Sequence, residues 1–306
     1  MVKKVLVIGA SGQAGSYLVE KLKKLGHEVD GTYYSQKVEY RKGMYQLDVK
    51  DDLNTRLAFS RRKYDVVYNM ASLMYAPASW DRPLEYAEVN YMGTARILRY
   101  LFLSNPEARY FQAGSAEVFN TKFFPQSEET PKCPRNPYGV AKMAAQELTR
   151  VYRERGHFAC TGIFFNMESP RREETFFSRK VTKGLVDILL GRTKKKLKLG
   201  RLSAIRDWGL TEEFMEVPIL MTEQEKPQDY VIGTGEKHTC LEFVQSAVKQ
   251  AQVPMDVVEY EKVVAVGDAD IIWSNPEKVE RDLGWKAKSK MTEVIRELLK
   301  AEIERG

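Results

Sequence analysis

A short strand, a glycine-rich turn and a helix at the start of the chain constrain its fold most strongly. The segment Lys4–Ile8 is apolar and rich in valine, and residues 9–15 after it carry glycines at GxxGxxG spacing. A helical pattern of apolar residues then runs to Gly26. Spaced glycines between a strand and a helix let the backbone approach a pyrophosphate at the helix N-terminus. The sequence therefore predicts a parallel βαβ unit that binds a dinucleotide.

Strand and helix patterns alternate regularly through residue 165. Further strands are predicted at residues 28–34, 44–48, 65–69, 109–113 and 158–165, with helical patterns between most of them, such as 51–62 and 84–103. This alternation predicts an α/β fold with a doubly wound parallel Rossmann-type sheet over residues 1–165. After Phe165 the alternation fails, so we expect residues 166–306 to form a smaller α/β substrate domain. A strand near 229–234 is expected to return to the first domain.

Composition narrows the class of protein. The chain has 306 residues, of which 43% are hydrophobic, enough for a sizeable core. No apolar run approaches the roughly 18 residues that span a membrane, and the apolar N-terminal run stops in the glycine turn, so it is interpreted as a buried strand rather than a signal peptide. The three scattered cysteines indicate reduced thiols and a cytoplasmic location. The three histidines lie far apart, so no metal site is expected.

The positive charge of the chain does not require a nucleic-acid partner. The formal net charge is +6, and the densest basic run covers residues 192–198. That run is not interleaved with the aromatic side chains that a base-stacking surface needs. A solvated loop and an anionic small substrate explain the charge instead.

The end of the second predicted strand bears on the choice of cofactor. An acidic residue there usually binds the ribose of NAD, whereas a basic residue accommodates the additional phosphate of NADP. This chain has Tyr33 and Tyr34 at that point, followed by Lys37, Arg41 and Lys42. We therefore expect NADP, with NAD as the alternative. The residues expected to bind the cofactor are Gly9, Ser11, Gly12, Gln13, Gly15, Tyr33, Asp48, Val49, Met70, Ala71, Tyr138 and Lys142.

Tyr138 and Lys142 are candidates for proton transfer. They lie four residues apart at the start of a helical pattern, so both side chains face the same side of the helix. A lysine ammonium beside a phenol favours the phenolate, which would lower the pKa of Tyr138 and make it a general base for a hydroxyl group. The spacing alone leaves open an unrelated surface tyrosine and lysine. Ser115 and Glu117 follow the predicted strand 109–113, at the edge of the sheet where ligands bind.

Four motifs resemble those of the GDP-mannose 4,6-dehydratase family, which belongs to the extended short-chain dehydrogenase/reductases. Residues 12–18 are similar to its GQDGSYL, residues 136–142 to SPYGAAK, residues 165–172 to FNHESPRR, and residues 206–209 match RDWG. The resemblance covers nearly the whole chain. It implies a Rossmann-type fold, an NADP cofactor, a GDP-linked nucleotide sugar and a homodimer or homotetramer.

The resemblance also implies roles for individual residues. Ser115 takes the place of the family threonine that hydrogen-bonds the C4 oxygen, Glu117 matches the acid and base at C5 and C6, and Tyr138 with Lys142 matches the tyrosine and lysine. The implied reaction moves a hydride from C4 to NADP and on to C6 with loss of water, giving GDP-4-keto-6-deoxymannose. The residues implied in substrate binding are Asn166, Arg171, Lys180, Leu199, Gly200 and Arg206.

The chain departs from the family pattern at several positions, and other functions stay open. Met74 and Tyr75 stand where the family has a Ser-His pair, and residues 265–270 lack the arginine of the corresponding family segment. One alternative is an NAD(P)H-dependent reductase or epimerase of a GDP-4-keto-6-deoxy sugar, which would leave Glu117 idle. Another is a nucleotide-binding protein without catalytic activity.

Overall fold

The computed structural model describes residues 1–34, 43–260 and 271–305. Lys37, Arg41 and Lys42, on which the preference for NADP partly rests, lie outside the described residues. The segment 265–270, where the family arginine is missing, also lies outside them.

Seven parallel strands form the central sheet, in the order β11-β6-β5-β4-β1-β2-β3. The strands of the described chain are β1 (Lys4–Ile8), β2 (Glu28–Tyr33), β3 (Met44–Gln46), β4 (Val66–Asn69), β5 (Arg109–Ala113), β6 (Phe158–Phe164), β7 (Asn166–Glu168), β8 (Leu197–Leu199), β9 (Ile205–Arg206), β10 (Trp208–Leu210), β11 (Tyr230–Ile232), β12 (His238–Thr239) and β13 (Val258–Tyr260). The strand order reverses direction between β1 and β4, and ligands of doubly wound sheets bind in the crevice at such a reversal.

Helices pack against both faces of this sheet, and a further group of helices packs together away from it. They are α1 (Gln13–Lys24), α2 (Asp52–Arg61), α3 (Pro83–Ala87), α4 (Gly93–Ser104), α5 (Pro137–Glu154), α6 (Phe177–Leu189), α7 (Thr211–Phe214), α8 (Val217–Glu223), α9 (Cys240–Ala251), α10 (Glu277–Leu283) and α11 (Met291–Glu304). One apolar cluster fills the face under α1 and α8, and a second fills the face under α2 and α4. A third apolar cluster lies between α6, α9 and α11, away from the sheet.

The helix predicted over residues 84–103 is interrupted. A π-helical turn, Glu88–Met92, separates α3 from α4 and contains the buried residue Asn90. The Asn90 side chain accepts a hydrogen bond from the main-chain N–H of Leu73 at 2.9 Å and donates one to the Leu73 carbonyl at 3.0 Å. A π turn is commonly found near functional sites. Here the contact fixes the loop that follows β4.

The sequence also predicts helices over residues 211–222 and 274–283, and the structure differs from both predictions. The pattern at 211–222 forms α7 and α8 as separate helices, with Pro218 in the first turn of α8. The pattern at 274–283 becomes helical only at Glu277, because Ser274 is engaged by hydrogen bonds to the buried carboxylate of Asp207. The predicted domain boundary between residues 165 and 166 stays a prediction. In the described part of the chain, no helix is both long and apolar enough to cross a membrane.

Candidate active site

A cleft of about 590 Å³ opens at the C-terminal edge of β1, β4 and β5. Its walls come from the sheet on one side and from the segment after β6 on the other. The residues predicted from the sequence that line it are Gly9, Gly12, Gln13, Gly15, Met70, Ser115, Glu117, Tyr138, Lys142, Asn166, Lys180, Leu199, Gly200 and Arg206. The fold thus brings candidate catalytic, cofactor-binding and substrate-binding residues to one cavity.

The glycine turn is packed so closely that two of its glycines, Gly9 and Gly15, cannot carry side chains. Gly9 has φ +80°, and a Cβ there would lie 2.8 Å from the Ala71 nitrogen. A Cβ on Gly15 would lie 2.2 Å from the Gly9 carbonyl oxygen. Gly9 N–H donates a hydrogen bond to the Thr32 hydroxyl at 3.1 Å, which fixes the turn against β2. The turn therefore brings bare backbone to the cleft at the N-terminus of α1, an arrangement that fits the pyrophosphate of a dinucleotide.

Gln13 ties this turn to the opposite wall of the cleft. Its side-chain amide donates a hydrogen bond to the Met167 carbonyl at 2.9 Å and a second one to the hydroxyl of Thr211. Arg172 also donates to the Met167 carbonyl, at 2.8 Å. The Gln13 side chain, predicted to bind the cofactor, is thus engaged in contacts across the cleft.

Helix α5 carries the tyrosine and the lysine on one buried face. Asn136 caps the helix, since its Oδ1 accepts a hydrogen bond from Gly139 N–H at 2.7 Å, and Pro137 occupies the first helical position. The ammonium of Lys142 donates to the Ala113 carbonyl at 2.7 Å and lies 6.0 Å from the centre of the Tyr138 ring. Local sequence accounts for this geometry, because the cap, the proline and the spacing all act within one turn of the helix.

The pKa of Tyr138 departs from the sequence-based expectation. Burial raises the pKa of the Tyr138 phenol to about 12, with the charge of Glu117 acting in the same direction. A hydrogen bond with Ser115 and the charge of Arg172 oppose this rise. The expected net lowering of the Tyr138 pKa was wrong for this structure, because burial outweighs the charge of Lys142, whose ammonium donates to the Ala113 carbonyl. Burial lowers the pKa of Lys142 to about 8.

Ser115 and Glu117 follow β5 and meet α5. The Ser115 hydroxyl accepts a hydrogen bond from Glu117 N–H at 3.3 Å and also contacts the Tyr138 phenol. The Glu117 carboxylate accepts a hydrogen bond from the Asn136 amide at 3.0 Å through Oε2. Asn136 was not among the predicted site residues. Its cap is recognisable in the sequence, but its contact with Glu117 links positions that are 19 residues apart.

The substrate side of the cleft is rich in cations. Lys180 on α6, Arg206 on β9 and Arg201 between them line it. Arg172 lines it as well, with its Nε 3.2 Å from the carboxylate of the buried residue Glu168. Arg172 and Arg201 were not predicted as site residues, although the first belongs to a motif noted in the sequence.

Arg171 has a different position from the one expected for a substrate-binding residue. Its guanidinium donates to the Ser16 hydroxyl at 2.9 Å, pairs with Glu20 at 2.8 Å and lies 3.9 Å from the centre of the Tyr17 ring. Among the described residues that line the cleft, Arg171 is not included, whereas its neighbour Arg172 is. The two adjacent side chains leave the turn after Pro170 in different directions, which a linear motif does not reveal.

Five predicted cofactor residues lie beside the cleft rather than in its described lining. Tyr33 ends β2, and Asp48 and Val49 follow β3, so these residues are at the same sheet edge as the glycine turn. Ser11 belongs to the turn itself, and Ala71 contacts Gly9. Their part in cofactor binding stays a prediction.

The sheet order, the glycine turn and the tyrosine and lysine on α5 define a short-chain dehydrogenase/reductase with a Rossmann-type fold. Solved structures agree with this fold. UDP-glucose 4-epimerase from Thermotoga maritima superposes with a TM-score of 0.88 at 20% identity, covering 99% of this chain and 98% of that one. The dTDP-glucose 4,6-dehydratase from Bacillus anthracis gives a TM-score of 0.84 at 18% identity, covering 99% and 97%.

The chain belongs to the GDP-mannose 4,6 dehydratase family, whose family model matches residues 6–298. GDP-mannose 4,6 dehydratase 1 from Arabidopsis thaliana is 36% identical, over 99% of this chain and 90% of that protein. GDP-mannose 4,6-dehydratase from Vibrio cholerae is 32% identical, over 98% and 93%. The predicted family, the fold class and the assignment to the hydro-lyases that act on nucleotide sugars are thereby confirmed.

Proposed function

We propose that this protein converts GDP-mannose to GDP-4-keto-6-deoxymannose with loss of one water molecule. The observation that carries the proposal is the position of the Glu117 carboxylate, which lines the same cleft as Ser115, Tyr138 and Lys142. A reductase or a 4-epimerase of a keto sugar needs the tyrosine, the lysine and the serine but has no use for this carboxylate. A dehydratase needs it as the base at C5.

The first half of the reaction falls to α5 and Ser115. The glycine turn would hold NADP, which would supply the acceptor for a hydride from C4 and the donor for its return to C6. Tyr138 takes the proton of the C4 hydroxyl, and the Ser115 hydroxyl, which contacts the Tyr138 phenol, hydrogen-bonds the same oxygen. Lys142 contributes a positive charge 6.0 Å from the ring centre, which favours the phenolate over the buried neutral phenol.

The second half falls to Glu117. A ketone at C4 makes the hydrogen on C5 acidic, and the carboxylate of Glu117 takes it as a proton. The same carboxyl group then gives this proton to the departing C6 hydroxyl, so that water leaves, and C5 gains a proton from solvent once the hydride has reached C6. One carboxyl group suffices because the two proton transfers follow one another.

The cations of the substrate side suit a nucleoside diphosphate. Lys180, Arg201 and Arg206 supply positive charge at the end of the cleft away from α5. Asn166, Leu199 and Gly200 complete this wall. Guanidinium groups pair well with phosphate oxygens, and the net charge of +6 favours an anionic substrate in general.

We propose NADP as the cofactor, with NAD as the alternative, and a homodimer or homotetramer as the assembly. The absence of an acidic residue among the described residues at the end of β2 supports NADP, as does NADPH in the similar structure of RMD from Pseudomonas aeruginosa (TM-score 0.85, 19% identity, covering 100% of this chain and 99% of that one). Exposed apolar side chains on α4 and α5, Leu103 at 71% and Val140 at 50%, support self-association. Three free cysteines among the described residues support a cytoplasmic location.

The reaction in deuterated water tests the proposal. The purified protein is incubated with GDP-mannose in D₂O without added reductant, and the product is analysed by NMR. We expect a 4-keto-6-deoxy sugar with deuterium at C5 and no net change in NADP(H), because the C5 proton leaves with the water and C5 gains a deuteron from the solvent. Glu117→Gln is expected to lose this product. A reaction that consumes NADPH in proportion to product would contradict the proposal and favour the reductase.

A further inference from the structure

Asn136 lies between the two groups that carry the proposed proton transfers. Its side chain is 5% exposed, and its Oδ1 accepts a hydrogen bond from Gly139 N–H at 2.7 Å. Its Nδ2 donates to Glu117 Oε2 at 3.0 Å. A main-chain N–H can only donate, so the contact with Gly139 fixes which end of the amide faces Glu117. The nitrogen faces the carboxylate, as a donor should.

The backbone of Glu117 is fixed against the same turn of helix. A Cβ at Gly139 would lie 2.6 Å from the Glu117 carbonyl oxygen, so only glycine allows this approach without a shift of the backbone. Both the carboxylate and the main chain of Glu117 thus contact the first turn of α5. That turn also carries Tyr138. Contacts with this one turn of helix therefore determine how far the Glu117 carboxylate lies from the Tyr138 phenol.

We propose that Asn136 is a positioning residue that holds the Glu117 carboxylate, in its ionised form, at a fixed place relative to Tyr138. The inference rests on the proposed function, because only a dehydratase uses Glu117 as the base at C5. A hydrogen bond donated to a carboxylate favours its charged form, which is the form that accepts a proton. An amide does not titrate, so Asn136 supports this state at any pH without competing for the proton.

Asparagine suits both contacts better than the serine of the family motif SPYGAAK. Its acceptor and its donor are separate atoms on a planar group, so the cap and the contact with Glu117 are made at the same time. Serine caps a helix equally well but has one oxygen and a shorter reach. Residue 136 therefore offers variants that keep the cap and change only the contact with Glu117.

Other ionisable groups line the same cleft and stay unchanged in these variants. Those that line it are Tyr138 and Lys142 on α5, Glu168 paired with Arg172, and Lys180, Arg201 and Arg206 on the substrate side. Tyr86, whose ring packs edge-on against Tyr138 at 6.2 Å between centres, completes the buried side. A difference between two variants at position 136 therefore reports the changed contact with Glu117.

The test compares Asn136→Asp with Asn136→Ser and the unaltered protein. Aspartate caps a helix as well as asparagine does, so the thermal unfolding temperature should fall by no more than about 3 °C, which is the cost of the two facing carboxylates. Its carboxylate faces Glu117 and raises the affinity of that group for protons. We expect kcat for water loss from GDP-mannose to fall about 10-fold or more and the acid limb of its pH profile to move upward by about one unit, while KM changes less than about 2-fold. Asn136→Ser should fall between the two.

The possible results separate the positioning role of Asn136 from the proposed dehydratase activity. An Asn136→Asp protein with unchanged kcat and pH profile would overturn the positioning role and leave the dehydratase intact. A larger fall in the unfolding temperature, with equal loss of substrate binding and turnover, would also overturn it, in favour of the cap alone. If the unaltered protein releases no dehydrated product, the proposed function fails and the inference fails with it.

Discussion

The side-chain amide of Gln13 donates a hydrogen bond to the main-chain carbonyl of Met167 at 2.9 Å, across 154 residues of sequence. Gln13 begins the helix at which the dinucleotide pyrophosphate is expected, and Met167 lies on β7 in the wall that faces the substrate. The hydrogen bond between Gln13 and Met167 therefore connects the expected cofactor site with the expected substrate site. A change at Gln13 is expected to affect the binding of both.

Gln13→Ala tests this connection. The substitution removes the hydrogen bond that the buried Thr211 hydroxyl accepts from Gln13. Leaving a buried polar group without its hydrogen bond lowers the free energy of unfolding by about 1–3 kcal/mol. We expect a lower free energy of unfolding and a raised Kd for both NADP and GDP-mannose, measured by denaturant titration and calorimetry. Ser16→Ala, on the same helix, is the matched control. Equal ligand affinities in Gln13→Ala and the unaltered protein would contradict the connection.

Lys142→Met should lose activity and gain stability. The folded protein buries an ammonium whose pKa is lowered from 10.5 to about 8, so at pH 7 the charged lysine opposes folding. Replacing it with methionine removes this cost and also the hydrogen bond to Ala113, for a net gain of about 1–3 kcal/mol. Activity should fall about 100-fold or more, because the phenolate of Tyr138 loses its neighbouring charge.

The pH dependence of this stability gain has a defined sign. Between pH 8 and 10.5 the unfolded chain binds the proton on Lys142 more tightly than the folded chain, so the native protein gains stability from this residue as the pH rises. The advantage of Lys142→Met should therefore be largest below about pH 8 and disappear near pH 10.5. Chemical denaturation at several pH values measures it. An advantage that is constant over this range would contradict the burial of a charged lysine.

Alanine substitutions at Gly15 and at Gly26 should affect cofactor binding to very different extents. A Cβ on Gly15 would lie 2.2 Å from the Gly9 carbonyl oxygen, so Gly15→Ala forces the turn apart and should abolish cofactor binding. Gly26, at the other end of α1, has φ +81° and open space around it. Gly26→Ala should cost about 1 kcal/mol from its backbone conformation alone and bind NADP normally. Fluorescence titration with NADPH separates the two variants.

The adjacent arginines should behave differently. Arg172 lines the cleft and its charge favours the phenolate of Tyr138, so Arg172→Ala is expected to lower kcat/KM about 10-fold or more. Arg171 contacts Tyr17 and Glu20 at the surface, so Arg171→Ala should change kcat/KM less than about 3-fold. Steady-state kinetics with GDP-mannose measure kcat/KM for both variants and for the unaltered protein. A larger loss at Arg171 would restore the role that the family motif implies for it.

Much of the fold and part of the site could be predicted from local sequence. The glycine turn, the strands around it and the cap of α5 depend on residues within a few positions of each other, which is why their patterns are legible. The position of the candidate active site follows, because parallel strands deliver Ser115 and Glu117 to the edge where α5 begins.

The remaining features depend on contacts that are distant in sequence. The direction of the Gln13 side chain is set by Met167 and Thr211, and the outward turn of Arg171 by residues of α1. The raised pKa of Tyr138 results from burial by several elements, which a tyrosine and lysine four residues apart do not specify. The interruption of the helix at Asn90 likewise reflects the loop after β4 rather than local propensity.

The most direct test of the account is the product formed from GDP-mannose. The purified protein is mixed with GDP-mannose and a catalytic amount of NADP, without reductant, and the nucleotide sugars are followed by mass spectrometry, with Glu117→Gln and Tyr138→Phe in parallel. We predict a product lighter by one water molecule that carries a ketone, unchanged total NADPH, and no product from either variant. An active Glu117→Gln protein, or a product that keeps the mass of GDP-mannose, would contradict it.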